Sequence, residues 1–322
     1  MILQSLLFAG SLCLLCGAAD ILVRGGGQIA RNLGVSSLVV GLTIVSLGTS
    51  APELFISVVA AMNGNADLAM GNVLGSNIAN IGLVMGLTAI AGPLILSGSV
   101  LRRDVPVMFA VTLLTFPLIW DLKITRSEGA LLIAVVFLYL IRVVNVSKLD
   151  AGRLSTPMAE GPVHNPRDSA SKDREGLLGP LVLVALGICG LTYGSTLLRE
   201  SVIYLAQSMG VSELIVALTM VSIGTSLPEL ATSMMAAIRR EKGMAIGNII
   251  GSNIFNLTVV LGTTSVVTPV NISPEIITKQ YPAMLAISAL LVLLGIIKPV
   301  ISRSQGFILV FAYLAIGSWI LF

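Results

Sequence analysis

The sequence predicts an all-α membrane protein with ten transmembrane helices, built as two five-helix repeats of opposite orientation. Three observations carry that prediction. They are an apolar composition, a lopsided placement of basic residues, and an internal repeat at one fixed shift.

The chain of 322 residues is 55% hydrophobic and only 11% charged, with a mean hydropathy of +0.97. A soluble domain needs more polar surface than this, so hydrocarbon must solvate most of the chain. An apolar helix crosses the bilayer core in roughly 20 residues. Candidate spans fall at about 2–23, 36–63, 68–92, 104–120, 127–146, 178–199, 212–238, 243–268, 281–298 and 305–322. The runs are continuously apolar, without the alternation of a membrane barrel, so they read as helices.

The formal net charge of +3 says little, but its distribution over the 19 Lys and Arg is informative. With ten spans, 15 of the 19 fall in or beside the loops after spans 1, 3, 5, 7 and 9, among them Arg24, Arg31, Arg102, Arg103, Arg239, Arg240 and Lys242. Only Lys123, Arg126, Arg199 and Lys279 fall on the other face. The positive-inside rule makes the crowded face cytoplasmic and puts both termini outside. One span more or fewer would scramble this bias.

The N-terminus lacks the basic flank and small-residue cleavage site of a secretory signal. Leu14-Leu15-Cys16-Gly17 matches a lipoprotein site only loosely, so residues 2–23 read as the first span. Cys13, Cys16 and Cys189 all fall inside spans without metal-ligand spacing. They are expected to be buried small apolar residues without a disulfide.

Shifting the chain by 176 residues lays 34–93 over 210–269, and 30 of 60 positions are identical without a gap. GVSSLVVGLTIVSLGTSAPEL lies over GVSELIVALTMVSIGTSLPEL, and GNVLGSNIAN over GNIIGSNIFN. RSEG at 126–129 echoes RSQG at 303–306. Each half carries five spans, and an odd number inverts the second half. Secondary transporters built this way place their substrate near the midplane where the repeats meet. A duplication kept only for packing would repeat Leu and Gly, not Glu, Thr, Ser and Asn. The expected organisation is a first repeat at 1–146, a polar cytoplasmic linker at 147–177 holding the single histidine, His164, and an inverted second repeat at 178–322.

Among the 16 acidic residues, only Glu53 and Glu229 lie well inside spans; Asp20, four residues before Arg24, is expected to pair with it. A carboxylate at the bilayer centre costs about 2.5–3.5 kcal/mol on insertion scales. The chain accepts that cost twice, at equivalent positions. Ser46, Thr49, Ser50, Glu53 and Ser57 share one helical face, as do Ser222, Thr225, Ser226, Glu229 and Ser233. Asn72, Ser76 and Asn80 recur every four residues, as do Asn248, Ser252 and Asn256. Every one of these side chains offers oxygen. Oxygen-only ligation with two carboxylates suits hard cations such as Ca²⁺ or Na⁺ rather than zinc or copper. Pro52 and Pro228 are expected to free the carbonyls of Gly48 and Gly224 for an ion. The GxxxG pairs Gly71/Gly75, Gly247/Gly251 and Gly82/Gly86 read as close helix packing. One Ca²⁺ or two Na⁺ would neutralise two ionised glutamates. A site that binds either set exclusively is an antiporter by construction.

GTSAPE, GTSLPE and the paired GSNIxN motifs together resemble the sodium/calcium exchanger family, within the Ca²⁺/cation antiporter superfamily. The resemblance implies that Glu53 and Glu229 are the main Ca²⁺ ligands and that Thr49 and Thr225 serve both ions. It implies that Ser50, Ser226, Ser76 and Ser252 line Na⁺ positions, with carbonyls near Ser46 and Ser222 adding to these. Asn80 and Asn256 would sit close by, and spans 1 and 6 would slide across the other eight. Some family members carry Asp in place of one of these asparagines. Asn at both positions argues against potassium dependence and against a proton carrier there.

The expectation is therefore an antiporter exchanging Na⁺ for Ca²⁺ in the cell membrane, with the lipid bilayer as surroundings and with neither a cofactor nor a nucleic-acid partner. A Ca²⁺/H⁺ antiporter is the alternative. A channel or receptor fits the inverted repeat poorly, and no nucleophile–base set that would mark an enzyme is visible.

Overall fold

The computed structural model describes residues 2–153, 176–209 and 224–321. Most of the expected linker, including His164, and the first half of the expected seventh span, including Ser222, lie outside the described residues. The described chain is helical apart from four two-residue strands and the short turns between elements. In chain order the helices are α1 (Ile2–Leu33), α2 (Ser37–Thr49), α3 (Ala51–Met62), α4 (Ala66–Ala91), α5 (Val105–Ile119), α6 (Arg126–Arg153), α7 (Leu178–Ser208), α8 (Leu227–Ile238), α9 (Lys242–Val267), α10 (Ile276–Ile297) and α11 (Arg303–Leu321). Among the described residues seven helices are long and apolar enough to cross a membrane, or eight with α2 and α3 taken as one broken span.

Several helices outrun their apolar segments. α1 continues to Leu33, past the charges at Arg24 and Arg31, and Asp20 holds Arg24 one turn away at 2.7 Å. α6 runs on through Arg153, so the first residues of the expected linker are helical. α4 and α9 form the centre, with 78% and 94% of their apolar windows buried against 17% for α11.

Small residues set the close approaches. A Cβ on Gly247 would stand 2.4 Å from the Leu38 carbonyl oxygen, and one on Gly251 would stand 2.5 Å from Ser46 Oγ. α9 thus lies backbone to backbone against α2. Gly187 meets Leu22 in the same way, packing α7 along α1. Gly48 and Gly224 also prove to be packing residues, facing Ile188 and Arg199 of α7.

Two antiparallel strand pairs join the halves. β1 (Leu94–Ile95) pairs with β4 (Val300–Ile301), and β2 (Lys123–Ile124) pairs with β3 (Val270–Asn271). The echoed RSEG and RSQG segments begin α6 and α11, and each completes a capping box. Glu128 Oε2 accepts from the Thr125 N–H at 2.8 Å, and Gln305 Oε1 accepts from the Ser302 N–H at 2.9 Å. Their glycines then touch equivalent carbonyls, Gly129 against Gly262 and Gly306 against Gly86.

The cysteines are a correction. Cys13, Cys16 and Cys189 are free but exposed on the outer surface of α1 and α7, not buried. In a chain solvated by lipid, the outward face of a span is as apolar as its inward face, so hydropathy does not reveal which way a residue points.

Candidate functional site

The sequence SLGTSAPEL does not make one kinked helix. It ends α2 at Thr49 and begins α3 at Ala51, with a 41° bend between them. Pro52 sits at the second position of α3, where its missing N–H costs no helical hydrogen bond. Ser50 at the break has φ −83° and ψ 6°, and Ser226 before α8 has φ −83° and ψ 5°. The expectation that proline frees the Gly48 carbonyl is corrected, because a backbone N–H at the C-terminal cap of α2 binds that oxygen. Starting a new helix has a different consequence. Glu53 and Glu229 fall in the first turns of α3 and α8, where the helix dipole favours negative charge.

Both glutamates are fully buried, and each feels hydroxyls of the opposite half. Ser50 Oγ donates to Glu229 Oε1 at 3.2 Å, and Ser252 Oγ reaches the same oxygen at 3.5 Å. Thr225 is the hydroxyl beside the Glu53 carboxylate, and the two carboxylates interact electrostatically. Thr225 Oγ1 also meets Ser76 Oγ at 3.3 Å, while Thr49 Oγ1 meets Ser252 Oγ at 3.4 Å. Ser46 is buried where α2 meets Gly251 of α9. Of the twelve residues expected at the site, eleven are described, and all eleven are buried; Ser222 is the exception.

Several polar atoms here lack, among the described residues, the hydrogen bonds that burial normally demands. They include both Glu53 oxygens, Glu229 Oε2, Ser226 Oγ and the whole side-chain amides of Asn80 and Asn256. Asn80 and Asn256 each open a π-helical turn, Asn80–Met85 in α4 and Asn256–Val260 in α9. Such turns recur at functional sites because the widened ring re-aims side chains. A cluster of two carboxylates, hydroxyls and amides can bind a dehydrated hard cation. Among the described residues no group of three or more His, Cys, Asp or Glu gathers anywhere.

Three contacts go beyond what the sequence predicts. Asn72 and Asn248 are hydrogen-bonded to the backbone of the glutamates themselves. Asn77 and Asn253 meet each other at the join between the halves, Asn77 Nδ2 donating to the Asn253 carbonyl at 3.3 Å. Asp104, at the start of the expected fourth span, is fully buried. Arg103 Nε at 2.7 Å and the Tyr139 hydroxyl at 3.1 Å neutralise and satisfy it. The neighbouring Arg103 was the available signal.

A polytopic helical protein with a buried, oxygen-only cluster shared between its halves belongs to the class of membrane ion transporters. Known proteins narrow that class. The family model described as sodium/calcium exchanger protein matches residues 3–145 and 179–322. The putative antiporter CaxA of Alkalimonas amylolytica is 38% identical over 98% of this chain and 97% of its own length. The sodium/calcium exchanger MaX1 of Methanosarcina acetivorans is 29% identical over 94% of each chain. A solved structure of the sodium-calcium exchanger NCX_Mj superposes with a TM-score of 0.80 at 30% identity, covering 98% of this chain and 97% of that one. The chain belongs to the sodium/calcium exchanger family, a family of antiporters rather than of catalytic enzymes.

Proposed function

We propose that this protein exchanges Na⁺ for Ca²⁺ across the cell membrane by alternating access at one central site. The fold would comprise ten transmembrane helices in two inverted repeats, residues 1–146 and 178–322, joined by a cytoplasmic linker at 147–177, with both termini outside. Glu53 and Glu229 supply the charge for Ca²⁺, and Thr49 and Thr225 contribute to both ions. Ser50, Ser226, Ser76 and Ser252 serve Na⁺, with Ser46, Ser222, Asn80 and Asn256 completing the surround.

The observation that carries this proposal is the crossing of the halves at the carboxylates. Ser50 of the first motif donates to Glu229 of the second, and Thr225 of the second stands beside Glu53 of the first. This crossing supports reading the two motifs as one site rather than two. Two carboxylates are neutralised by one Ca²⁺ or two Na⁺, so the ion sets compete for the same oxygens. Charging the site with a divalent ion offsets the like-charge repulsion and desolvation that two bare buried carboxylates suffer.

The test is radiolabelled calcium flux in proteoliposomes of the purified chain. A sodium gradient should drive uptake and a pH gradient alone should not. Uptake driven by the pH gradient without sodium would replace this proposal with Ca²⁺/H⁺ exchange.

A further inference from the structure

Asn248 is fully buried on α9 and makes hydrogen bonds in two directions. Its Nδ2 donates to the Glu229 main-chain carbonyl at 3.4 Å and to Ser233 Oγ at 3.0 Å. A main-chain carbonyl can only accept, so the amide orientation is fixed by chemistry. Oδ1 must then face the other way, and there it accepts from Thr49 Oγ1 at 3.0 Å.

A hydroxyl has one proton and two lone pairs. To ligate a cation it must point its proton at an acceptor and its lone pairs at the ion. Around Thr49 the competing acceptors are the Ser46 carbonyl at the longer distance of 3.3 Å, Ser252 Oγ at 3.4 Å and the neighbouring Glu229 carboxylate. Ser252 can donate instead of accept. Glu229 is the residue that a bound cation would occupy. Asn248 Oδ1 is the acceptor left to hold the proton while an ion is present.

We infer that Asn248 is a positioning residue that accepts the hydrogen bond of the Thr49 hydroxyl and so turns the Thr49 lone pairs toward the transported cation. This rests on the proposed role of Thr49 as a ligand. Asn72 provides the internal contrast. Its Nδ2 holds the Glu53 carbonyl at 3.2 Å and Ser57 Oγ at 2.9 Å, but its Oδ1 has no partner. In this conformation the side-chain amide of Asn72 secures the helix that carries Glu53, and among the described residues its oxygen orients no threonine, so of these two side-chain amides Asn248 is the one coupled to a ligand hydroxyl.

The test is a double-mutant cycle on the full purified chain, titrated with Ca²⁺ alone in sodium-free buffer by calorimetry. Asn248→Ala and Thr49→Ala should each weaken Ca²⁺ binding roughly three- to tenfold, the worth of one hydrogen bond to a polar ligand. The double variant should bind within about twofold of the weaker single, because both changes remove the same oriented hydroxyl. Asn72→Ala and Thr49→Ala should instead multiply. Multiplicative losses for Asn248 with Thr49 would overturn the inference, as would non-additivity of Asn72 with Thr49. If Asn248→Ala does not fold, Asn248→Asp keeps the oxygen facing Thr49 and loses the donor. Thr49→Ala should still weaken binding in that background, and indifference there would also overturn it. If Thr49→Ala alone leaves Ca²⁺ affinity unchanged, the ligand role of Thr49 fails, and the inference falls with it.

Discussion

Ser50 Oγ donates to Glu229 Oε1 at 3.2 Å, although the two residues are separated by 179 positions. Its counterpart Ser226 has a buried hydroxyl without a partner among the described residues. The two serines occupy the same place in the repeat and have the same backbone conformation, yet only one is spent on a carboxylate in this conformation. Removing the donor to a buried acceptor costs about 1–3 kcal/mol. Ser50→Ala should therefore lower the stability of the ion-free protein by ~1 kcal/mol or more. Ser226→Ala should cost less than half as much. Thermal melting in buffer free of Na⁺ and Ca²⁺ measures both, and equal losses would show that the asymmetry has no energetic weight.

The sequence made the site legible because its chemistry is costly. Glu53 and Glu229 stand out against an apolar background, and their neighbours repeat at one shift. The break at Ser50 was less legible. Pro52 announced a disturbance, but kinking a helix and starting a new one both call for proline near the same place. The π turns at Asn80 and Asn256 left no hydropathy signal, since inserting one residue into a turn changes geometry rather than composition. The direction of Cys13, Cys16 and Cys189 was illegible because lipid and protein interior are alike in polarity. The roles of Asn72 and Asn248 were half legible. Their periodicity placed them on the polar face, but only the structure reveals that they grip the main chain of the glutamates.

Replacing either glutamate separates charge from shape. Glu53→Gln and Glu229→Gln keep the side-chain volume and remove one charge from a site with two. Each should abolish Ca²⁺ transport in proteoliposomes, because the remaining single charge cannot neutralise a divalent ion. Neither should unfold the ion-free protein, since a buried uncompensated charge is itself destabilising. Flux measured beside a gel-filtration profile distinguishes loss of the site from loss of the fold. Normal flux in either variant would sink the proposed ligands.

The approach of α9 to α2 depends on glycine at 247. An added Cβ would lie 2.4 Å from the Leu38 carbonyl oxygen and 2.8 Å from the Leu42 nitrogen, and backbone cannot rotate aside. Gly247→Ala should destabilise the protein by about 1–3 kcal/mol, as overpacking of a close interface does. Because Asn248 follows directly, ion binding should weaken as well. Gly17 in α1 is the control: apart from the backbone of its own helix, a Cβ placed there meets nothing within 4 Å among the described residues. Gly17→Ala should be neutral or stabilising by up to ~1 kcal/mol through helix propensity. Melting temperatures of the two variants decide this, and equal behaviour would contradict the packing account.

Asp20 ties α1 to the far end of α8. Its carboxylate holds Arg24 at 2.7 Å within α1 and Arg239 at 2.5 Å across the fold, with Arg239 Nε donating at 2.6 Å. The arginine side chains are 58% and 44% exposed, so solvent screens both pairs and their contribution to stability is below ~1 kcal/mol. Transport is a more sensitive readout than melting. If α1 moves against the rest of the molecule during exchange, a contact made in one access state biases the equilibrium. Even ~1 kcal/mol shifts a two-state ratio about fivefold. Asp20→Asn should leave the melting temperature within a few degrees of the native value and change the sodium-driven calcium flux severalfold. The change should shrink as salt rises to ~1 M, where screening acts within about 3 Å. Arg239→Gln should change flux in the same direction, and the double variant should add little to either single. Unchanged flux in all three at low salt would show that this pair fastens the ends of two helices without biasing access.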